Sequence, residues 1–412
     1  MFYTNKKTTW LSFVKTFFDK HEKSASNLII LPRYLKVYYM TDELLLYLLI
    51  AFLVFASYQL FYIAFFMFRI RRNNEEAVYH REPVTVIVCA KNEAYNLRRN
   101  IPLLLEQKYY KFQVVVVDDC STDDSQLVLS ELKSQYPQLY YTTIPIDNKF
   151  NHSKKLAVIV AIKAAQYDHM VFIDADCRPA SDMWLHYIMT HYYDEHQMVL
   201  GYGRFERRKG FLNFFIRYES FINAIIYFGY AVAYRPFMGV GRNLSYTKEL
   251  YEHSSKFRNN LSIASGDDDM FVSEMGTRRN TDICTNFESQ TFTEAKTTWR
   301  DWIEQKSRHL TTAPFYRKGV KFLLGTEIIS RLIFFFLGIF LLILGDLHTQ
   351  IIVASVLFVR YLLIIISLAI ASRRMKECRF WPYAIFMDII VPWIEAFAAI
   401  FSKLSKKRTT WR

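Results

Sequence analysis

The sequence predicts a doubly wound α/β domain held between membrane helices, on three observations. Short β-branched runs such as "VTVIVCA" and "FQVVVVD" alternate with helical patterns, which marks parallel strands covered on both faces. Two of these runs stop on paired acids, "VVVVDD" and "FIDAD", at the carboxyl ends of strands where open α/β sheets bind their ligands. Long apolar stretches flank the whole segment.

Composition bounds the remaining choices. The 412 residues are 52% hydrophobic and 17% aromatic with only 12 glycines, which excludes a disordered chain and leaves room for more than one unit. A formal charge of +13 would suit nucleic acid, but the basic residues cluster beside apolar segments in "FRIRR", "SRRMKECR" and "SKKRTTWR", as membrane-flanking charge does. No nucleic-acid partner is expected. Cys89, Cys120, Cys177, Cys284 and Cys378 form no CxxC pair, which argues against a zinc site and a secreted disulfide frame and places the catalytic part in a reducing compartment.

Taken in order, residues 1–43 are a basic segment whose lysines would face outward if one helix separated them from "RIRR"; a start at Met40 removes that conflict. Residues 44–68 carry no charge, and at about 1.5 Å per residue they exceed the roughly 30 Å hydrocarbon layer, so they span it. The run is too long for a signal peptide, and no small-residue cleavage site follows. Residues 83–314 hold the α/β segment. Strands are expected at 84–90, 112–118, 139–144 and 170–176, with helices at 96–106, before Pro137, and at 153–165. "STDD" reads as a capping box with Ser121 as N-cap and Asp124 three residues on, which makes Asp123 and Asp124 structural. Residues 211–236 resemble a span, yet Arg217 and Glu219 favour an amphipathic helix at the membrane interface. A helix over 297–310 puts Trp302, Gln305 and His309 on one face.

Residues 321–401 return to the membrane. A hairpin over 322–371 has a tip, "GDLHTQ", without Lys or Arg, so the tip faces outside. The third stretch, 380–401, contains Pro382, Asp388, Pro392 and Glu395 and spans, re-enters or lies in the interface. A basic tail, 402–412, closes the chain.

The acids carry the chemistry. Asp174 and Asp176 alternate around Ala175, and because repulsion and desolvation make clustered carboxylates costly, such a pair usually holds a cation. Oxygen-only donors favour Mg²⁺ or Mn²⁺. "ASGDDDMF" sets Asp267, Asp268 and Asp269 before a helical pattern. They read either as a solvated first turn favoured by the helix dipole or, beside two strand-end pairs, as the seat of a catalytic base.

In this order, "VCAKNEAYNL", "VVVVDDCSTD", "IDADCRP", "GDDD" and "QKSRH" resemble the successive motifs of the inverting family 2 glycosyltransferases with the GT-A fold. The flanking helices are similar to those of membrane-embedded polysaccharide and glycolipid synthases. The resemblance covers residues 83–309 and implies a nucleotide-sugar donor, a UDP-sugar foremost. It implies that Ala90, Glu93, Asp118 and Asp119 line uracil and ribose, and that Asp174 and Asp176 hold the diphosphate through the metal. It further implies that Lys154 or Lys155 of "HSKKLA" meets phosphate, and that Gln305, Arg308 and His309 lie against the donor. "FMGVGRNLSY" resembles the segment near donor sugar and acceptor. Asp268 would be the general base, its proton affinity raised by Asp267 and Asp269. His309 stands where processive synthases carry Trp, which argues against a long-chain polymerase of the cellulose or hyaluronan type.

The expectation is a membrane-bound inverting glycosyltransferase that moves a sugar to a hydroxyl of a glycan or lipid-linked acceptor, in a bacterial inner membrane with its catalytic part cytoplasmic. Transfer to a polyprenyl phosphate and a non-catalytic membrane scaffold or transport component are the alternatives.

Overall fold

The structure, a computed structural model, describes residues 42–70, 82–145, 154–255, 266–310 and 312–404. The basic segment before residue 42, Arg71 and Arg72 of "RIRR", and the tail from residue 405 lie outside the described residues.

Helix α1 (Asp42–Phe66) comes first. Strand β1 (Val84–Ala90) is buried at every position, sending Val84, Val86 and Val88 to one face of the sheet and Ile87 and Cys89 to the other. A strand apolar on both sides belongs at the centre of a covered parallel sheet. The alternation continues through α2 (Ala94–Leu105), β2 (Phe112–Asp119), α3 (Ser125–Gln135), β3 (Leu139–Ile144), α4 (Lys154–Ala164) and β4 (His169–Asp174). β1 pairs in parallel with β2 and β4, and β2 with β3. Leu97 and Ile101 of α2 with Val128 and Leu129 of α3 close one face. Ala157 and Ala161 of α4 close the other.

The second half adds β5 (Arg178–Pro179), α5 (Trp184–Met189), β6 (Met198–Gly201), β7 (Gly203–Phe205), α6 (Phe211–Ala233), β8 (Leu244–Thr247), α7 (Lys248–Glu252), α8 (Asp267–Met275), β9 (Thr281–Cys284), β10 (Thr291–Thr293) and α9 (Trp299–Leu310). The main sheet runs β3-β2-β1-β4-β8-β6-β9, and a smaller one runs β5-β10-β7. Among the described strands, only β8 runs against its neighbours in the main sheet. The fold is the mostly parallel α/β class that the strand pattern predicts.

Two local expectations are corrected. No capping box forms at "STDD": α3 starts at Ser125, and its N-cap residue Asp124 makes no side-chain cap bond. Ser121 instead donates to Asp118 and accepts from the Asn92 amide at 2.7 Å, so its hydroxyl is committed elsewhere. Asp123 does the capping, accepting from the Ser125 amide at 3.1 Å and from the Ala94 amide of α2 at 3.0 Å. One carboxylate thereby serves the first turns of two helices, whose amides have no partners within the helix. Helix α6 is buried along most of its length, Arg217 and Glu219 included, because it is packed between the main sheet and the apolar helices. The Tyr227 hydroxyl donates to the Gly201 carbonyl at 2.8 Å, and Tyr230 stacks on Phe66 of α1 at 4.1 Å.

Three apolar helices follow: α10 (Lys318–Leu344), α11 (Leu347–Arg374) and α12 (Ala384–Leu404). Among the described residues, four helical stretches are long and apolar enough to cross a membrane: Glu43–Arg69, Lys318–Leu344, Leu347–Arg374 and Trp381–Ala398. α10 and α11 form the hairpin, where Asp346 caps α11 by accepting from the Thr349 amide at 3.1 Å. α1 packs along α10, with Phe52 stacked on Phe334 at 5.0 Å. Ion pairs form inside this bundle, as a low-dielectric setting favours: Arg360 reaches Asp388 at 2.6 Å and Arg331 reaches Glu327 at 3.3 Å. The bundle is latched to the α/β domain by Glu377, which follows α11 and takes Arg204 at 2.9 Å and Arg217 at 2.5 Å.

Candidate active site

The register levels three strand ends. Ala90 of β1 stands opposite Asp118 of β2, and Cys89 opposite Asp174 of β4, so the acids that terminate β2 and β4 flank the end of β1. The loops beyond them are tied together. Asn92, at φ +54°, accepts from the Thr122 amide at 2.8 Å, and Cys120 sits at φ +50°. These left-handed residues turn the backbone sharply enough for each strand to enter its helix at once.

A cleft of about 270 Å³ opens beside these ends. Glu93, Lys154, Asp174, Asp176, Arg242, Asp268, Gln305, Arg308 and His309 line it. Most of the expected site residues are thus brought together. Ala90, Asp118 and Asp119 are not on the cleft wall but buried behind it. Asp118 keeps one carboxylate oxygen, Oδ2, without a hydrogen-bond partner among the described residues. Lys155 is buried in α4 and Trp302 is buried against Phe215 at 5.1 Å; neither reaches the cleft.

Asp174 and Asp176 differ electrostatically. Burial works against a charged Asp174, but the Lys154 ammonium 2.6 Å from its Oδ1, aided by Arg242, holds its carboxyl below the usual range. Asp176 is open at its surface, yet the protein around it withholds enough water to raise its carboxyl, and repulsion from Asp174 adds to the rise. Glu93 is also raised, first by desolvation and then by Asp176, Asp174 and Asp123. Ligand atoms of Asp174, Asp176 and Cys177 lie within 4.8 Å of one another. The Cys177 thiol is pushed well up by burial and by Asp176, so it stays protonated and is a poor ligand. Two carboxylates remain, an oxygen-only donor set that fits Mg²⁺ or Mn²⁺.

Asp268 is presented by the start of α8. Its Oδ2 accepts from the Gly241 amide at 2.6 Å and its Oδ1 from the Asp269 amide at 2.9 Å, leaving lone pairs on both oxygens for a further donor. A Cβ on Gly241 would crowd Oδ2 at 3.1 Å, which explains glycine there. Gly266, the residue before the helix, has φ +87°, and a Cβ on it would overlap the Thr312 methyl. Asp269 is buried and accepts from the Thr312 and Tyr316 hydroxyls, each at 3.1 Å. Asp267 opens the helix. Asp268 and Asp269 both border the cleft, but Asp269 is buried and tied to two side-chain hydroxyls, whereas Asp268 is held by two backbone amides.

Cations line the cleft as well. Arg242 is aimed by its two bonds to the Gly203 carbonyl, 3.1 and 2.7 Å, and by Phe205, whose ring it covers at 4.8 Å. His309 is held down to about 4, chiefly by desolvation and then by Lys306, Arg242 and Arg308 against the pull of Asp268, so it is neutral near pH 7. Lys306 lies beneath, paired with Glu219 of α6. Sequence reasoning passed over Arg242 and Lys296, a further cleft cation; Arg242 stands inside "FMGVGRNLSY", where its charge among glycines was the available signal.

The family model described as Glycosyl transferase family 2 matches residues 85–247. Poly-beta-1,6-N-acetyl-D-glucosamine synthase of Staphylococcus aureus (strain COL) is 25% identical over 95 residues, 23% of this chain and 22% of that protein. The match therefore spans well under half the length of that curated relative. A mannosyltransferase from Pyrobaculum calidifontis, solved in complex with GDP-Man and Mn²⁺, superposes with a TM-score of 0.55 at 18% identity, covering 88% of this chain and 100% of the other. That likeness shows a shared fold of the GT-A type.

Proposed function

On the premise that this chain carries a family 2 glycosyltransferase domain of the GT-A type, we propose that it is a membrane-bound, inverting glycosyltransferase. It moves a sugar from a nucleotide sugar, a UDP-sugar foremost, to a hydroxyl of a glycan or lipid-linked acceptor. The observation that carries the reading is the cleft itself, where an acidic pair suited to a divalent cation lines the same space as Asp268, a carboxylate that accepts from two backbone amides. The likeness to a mannosyltransferase solved with GDP-Man and Mn²⁺ supports a nucleotide-sugar donor and a divalent metal.

In this reading Asp174 and Asp176 hold Mg²⁺ or Mn²⁺, which when bound supplies positive charge to the departing diphosphate. Lys154, Arg242 and Arg308 neutralise the same charge from the protein side. The ribose and base lie toward Glu93, with the vacant acceptor atom of Asp118 behind it and Ala90 and Asp119 completing that end. Asp268 takes the acceptor hydroxyl's proton as the oxygen attacks the anomeric carbon opposite the leaving group, and neutral His309 is a hydrogen-bond partner in the same cleft. Inversion follows from a single displacement, and no nucleophilic Ser or Cys is required. Nucleotide sugars are made in the cytoplasm, so the α/β domain belongs on that side, in a bacterial inner membrane.

The test is release of nucleoside diphosphate by the full chain in detergent, screened over UDP- and GDP-sugars with Mn²⁺ or Mg²⁺. Metal-dependent release from at least one donor is expected. No release from any of them, with any acceptor extract, contradicts the proposal.

A further inference from the structure

We propose that α12 does not cross the bilayer but lies in the plane of its surface, on the side of the α/β domain, as a lipid-seated sill beneath the cleft helix α9. Residues Trp381–Ala398 have the length and composition to span, but their packing is that of an interfacial helix. α12 packs most extensively on α9 and less on α11. Just before it, Phe380 and Tyr383 meet Phe214 of α6 at 5.6 and 4.9 Å. Three turns further on, Glu395 faces Lys306 of α9, whose ammonium is paired with Glu219 of α6. A helix crossing the membrane would climb about 18 Å between Tyr383 and Glu395, at about 1.5 Å per residue, and leave the α/β domain behind. α12 is still against that domain, at Lys306 of α9.

The side chains divide accordingly. Phe386, Ile389, Trp393, Phe397 and Ile400 are all exposed, and their spacing of three, four, four and three residues puts them on one face of the helix. Met387, Val391, Ile394 and Ala398 pack inward, beside Asp388, which reaches Arg360 at 2.6 Å, and Glu395. An apolar stripe of this extent facing water would be an aggregation liability, and it continues the outward apolar surface of α10 and α11, where Phe336 and Phe358 are 70% and 69% exposed. The partner it fits is therefore the acyl layer of a lipid leaflet, entered by about 5–10 Å as surface-seated helices do. Charge marks the same side. Arg69 after α1, Lys318 and Lys321 at the start of α10 and Arg373 and Arg374 at the end of α11 gather there. With three crossings, by α1, α10 and α11, the basic tail "SKKRTTWR" stays on the side of the α/β domain, as positive residues do. A fourth crossing would carry it to the opposite side. The cleft floor, formed by α9, then stands one helix diameter, about 10 Å, above lipid.

Two readouts on the full chain in phosphatidylcholine–phosphatidylglycerol vesicles test this. Spin labels on the variants F386C, W393C and I400C, with Cys120 and Cys378 replaced by Ser, report depth through oxygen and nickel-chelate accessibility. Equal depths within about 5 Å, in the shallow acyl region, are expected. A steady change of about 10 Å from each label to the next, as 1.5 Å per residue requires of a crossing helix, would overturn the proposal. The second readout leaves α12 unaltered: a C-terminal tag is expected on the face opposite a reporter placed in "GDLHTQ", and finding both on one face would overturn it as well.

Discussion

Lys154 places its ammonium 2.6 Å from Asp174 Oδ1, while Asp176, two residues along the chain, has its carboxyl shifted the other way. The acidic pair is therefore unequal before any ligand arrives. One member is held ionised by an internal cation, and the other is left to be stabilised from outside.

Asp176→Asn should accordingly abolish most of the metal-dependent part of nucleotide binding while leaving the fold intact. Titration calorimetry with UDP and Mn²⁺ checks it. The variant is expected to bind UDP about equally with and without Mn²⁺, and a wild-type metal response would remove the metal assignment.

His309 supplies a pH prediction. Its pKa of about 4 lies below the ordinary value of about 6.5, so between those values the unfolded chain binds a proton that the folded chain refuses. Stability therefore falls as pH drops from about 6.5 toward 4. A diphosphate in the cleft would favour the charged imidazole, so UDP binding at pH 5.5 should take up a proton. The uptake appears as a binding enthalpy that changes with buffer ionisation heat, and His309→Gln should abolish it.

Gly266→Ala tests the backbone that presents Asp268, the proposed base. A side chain at φ +87° costs about 1–3 kcal/mol, and the added methyl would collide with that of Thr312, whose hydroxyl anchors Asp269. Thermal unfolding in detergent should show a lower midpoint than wild type, with a parallel loss of activity. An unchanged midpoint would mean that the turn is not as drawn.

Glu377→Ala leaves Arg204 and Arg217 buried around a missing carboxylate. Breaking a buried pair in this way costs about 3–5 kcal/mol. The expected result is a midpoint lowered by several degrees, with Glu377→Asp recovering part of it. Equal stability of all three proteins would show that the latch does not bear on the fold.

Much of this arrangement was legible in the sequence because it is local. Four valines running into Asp118, or "VFID" into Asp174, reveal a buried strand and its carboxyl end without any knowledge of neighbours, and "GDDD" before a helical pattern reveals an acidic helix start. What was not legible depends on partners distant in the chain. Ser121 has the composition of a helix cap, but Asp118 and Asn92 compete for its hydroxyl. Lys154 and Lys155 are equivalent in the sequence, and only the turn of α4 sends one to Asp174 and buries the other. Arg242 owes its place to the Gly203 carbonyl, and Glu377 owes its role to arginines more than a hundred residues earlier. Residues 211–236 have a composition that fits an interfacial helix as well as a buried one, and the sheet on one side decides between them.

The most direct test of the account is Asp268→Asn, assayed with whichever nucleotide sugar the wild-type chain consumes fastest, with Asp269→Asn alongside. Replacing Asp268, the proposed base, keeps its size but removes the proton acceptor, so transfer should fall by about 10²- to 10⁴-fold while donor affinity is unchanged. Asp269→Asn should instead lower stability, because that carboxylate is buried under the Thr312 and Tyr316 hydroxyls. Transfer by Asp268→Asn at near the wild-type rate would contradict the central claim that Asp268 is the base of an inverting glycosyl transfer.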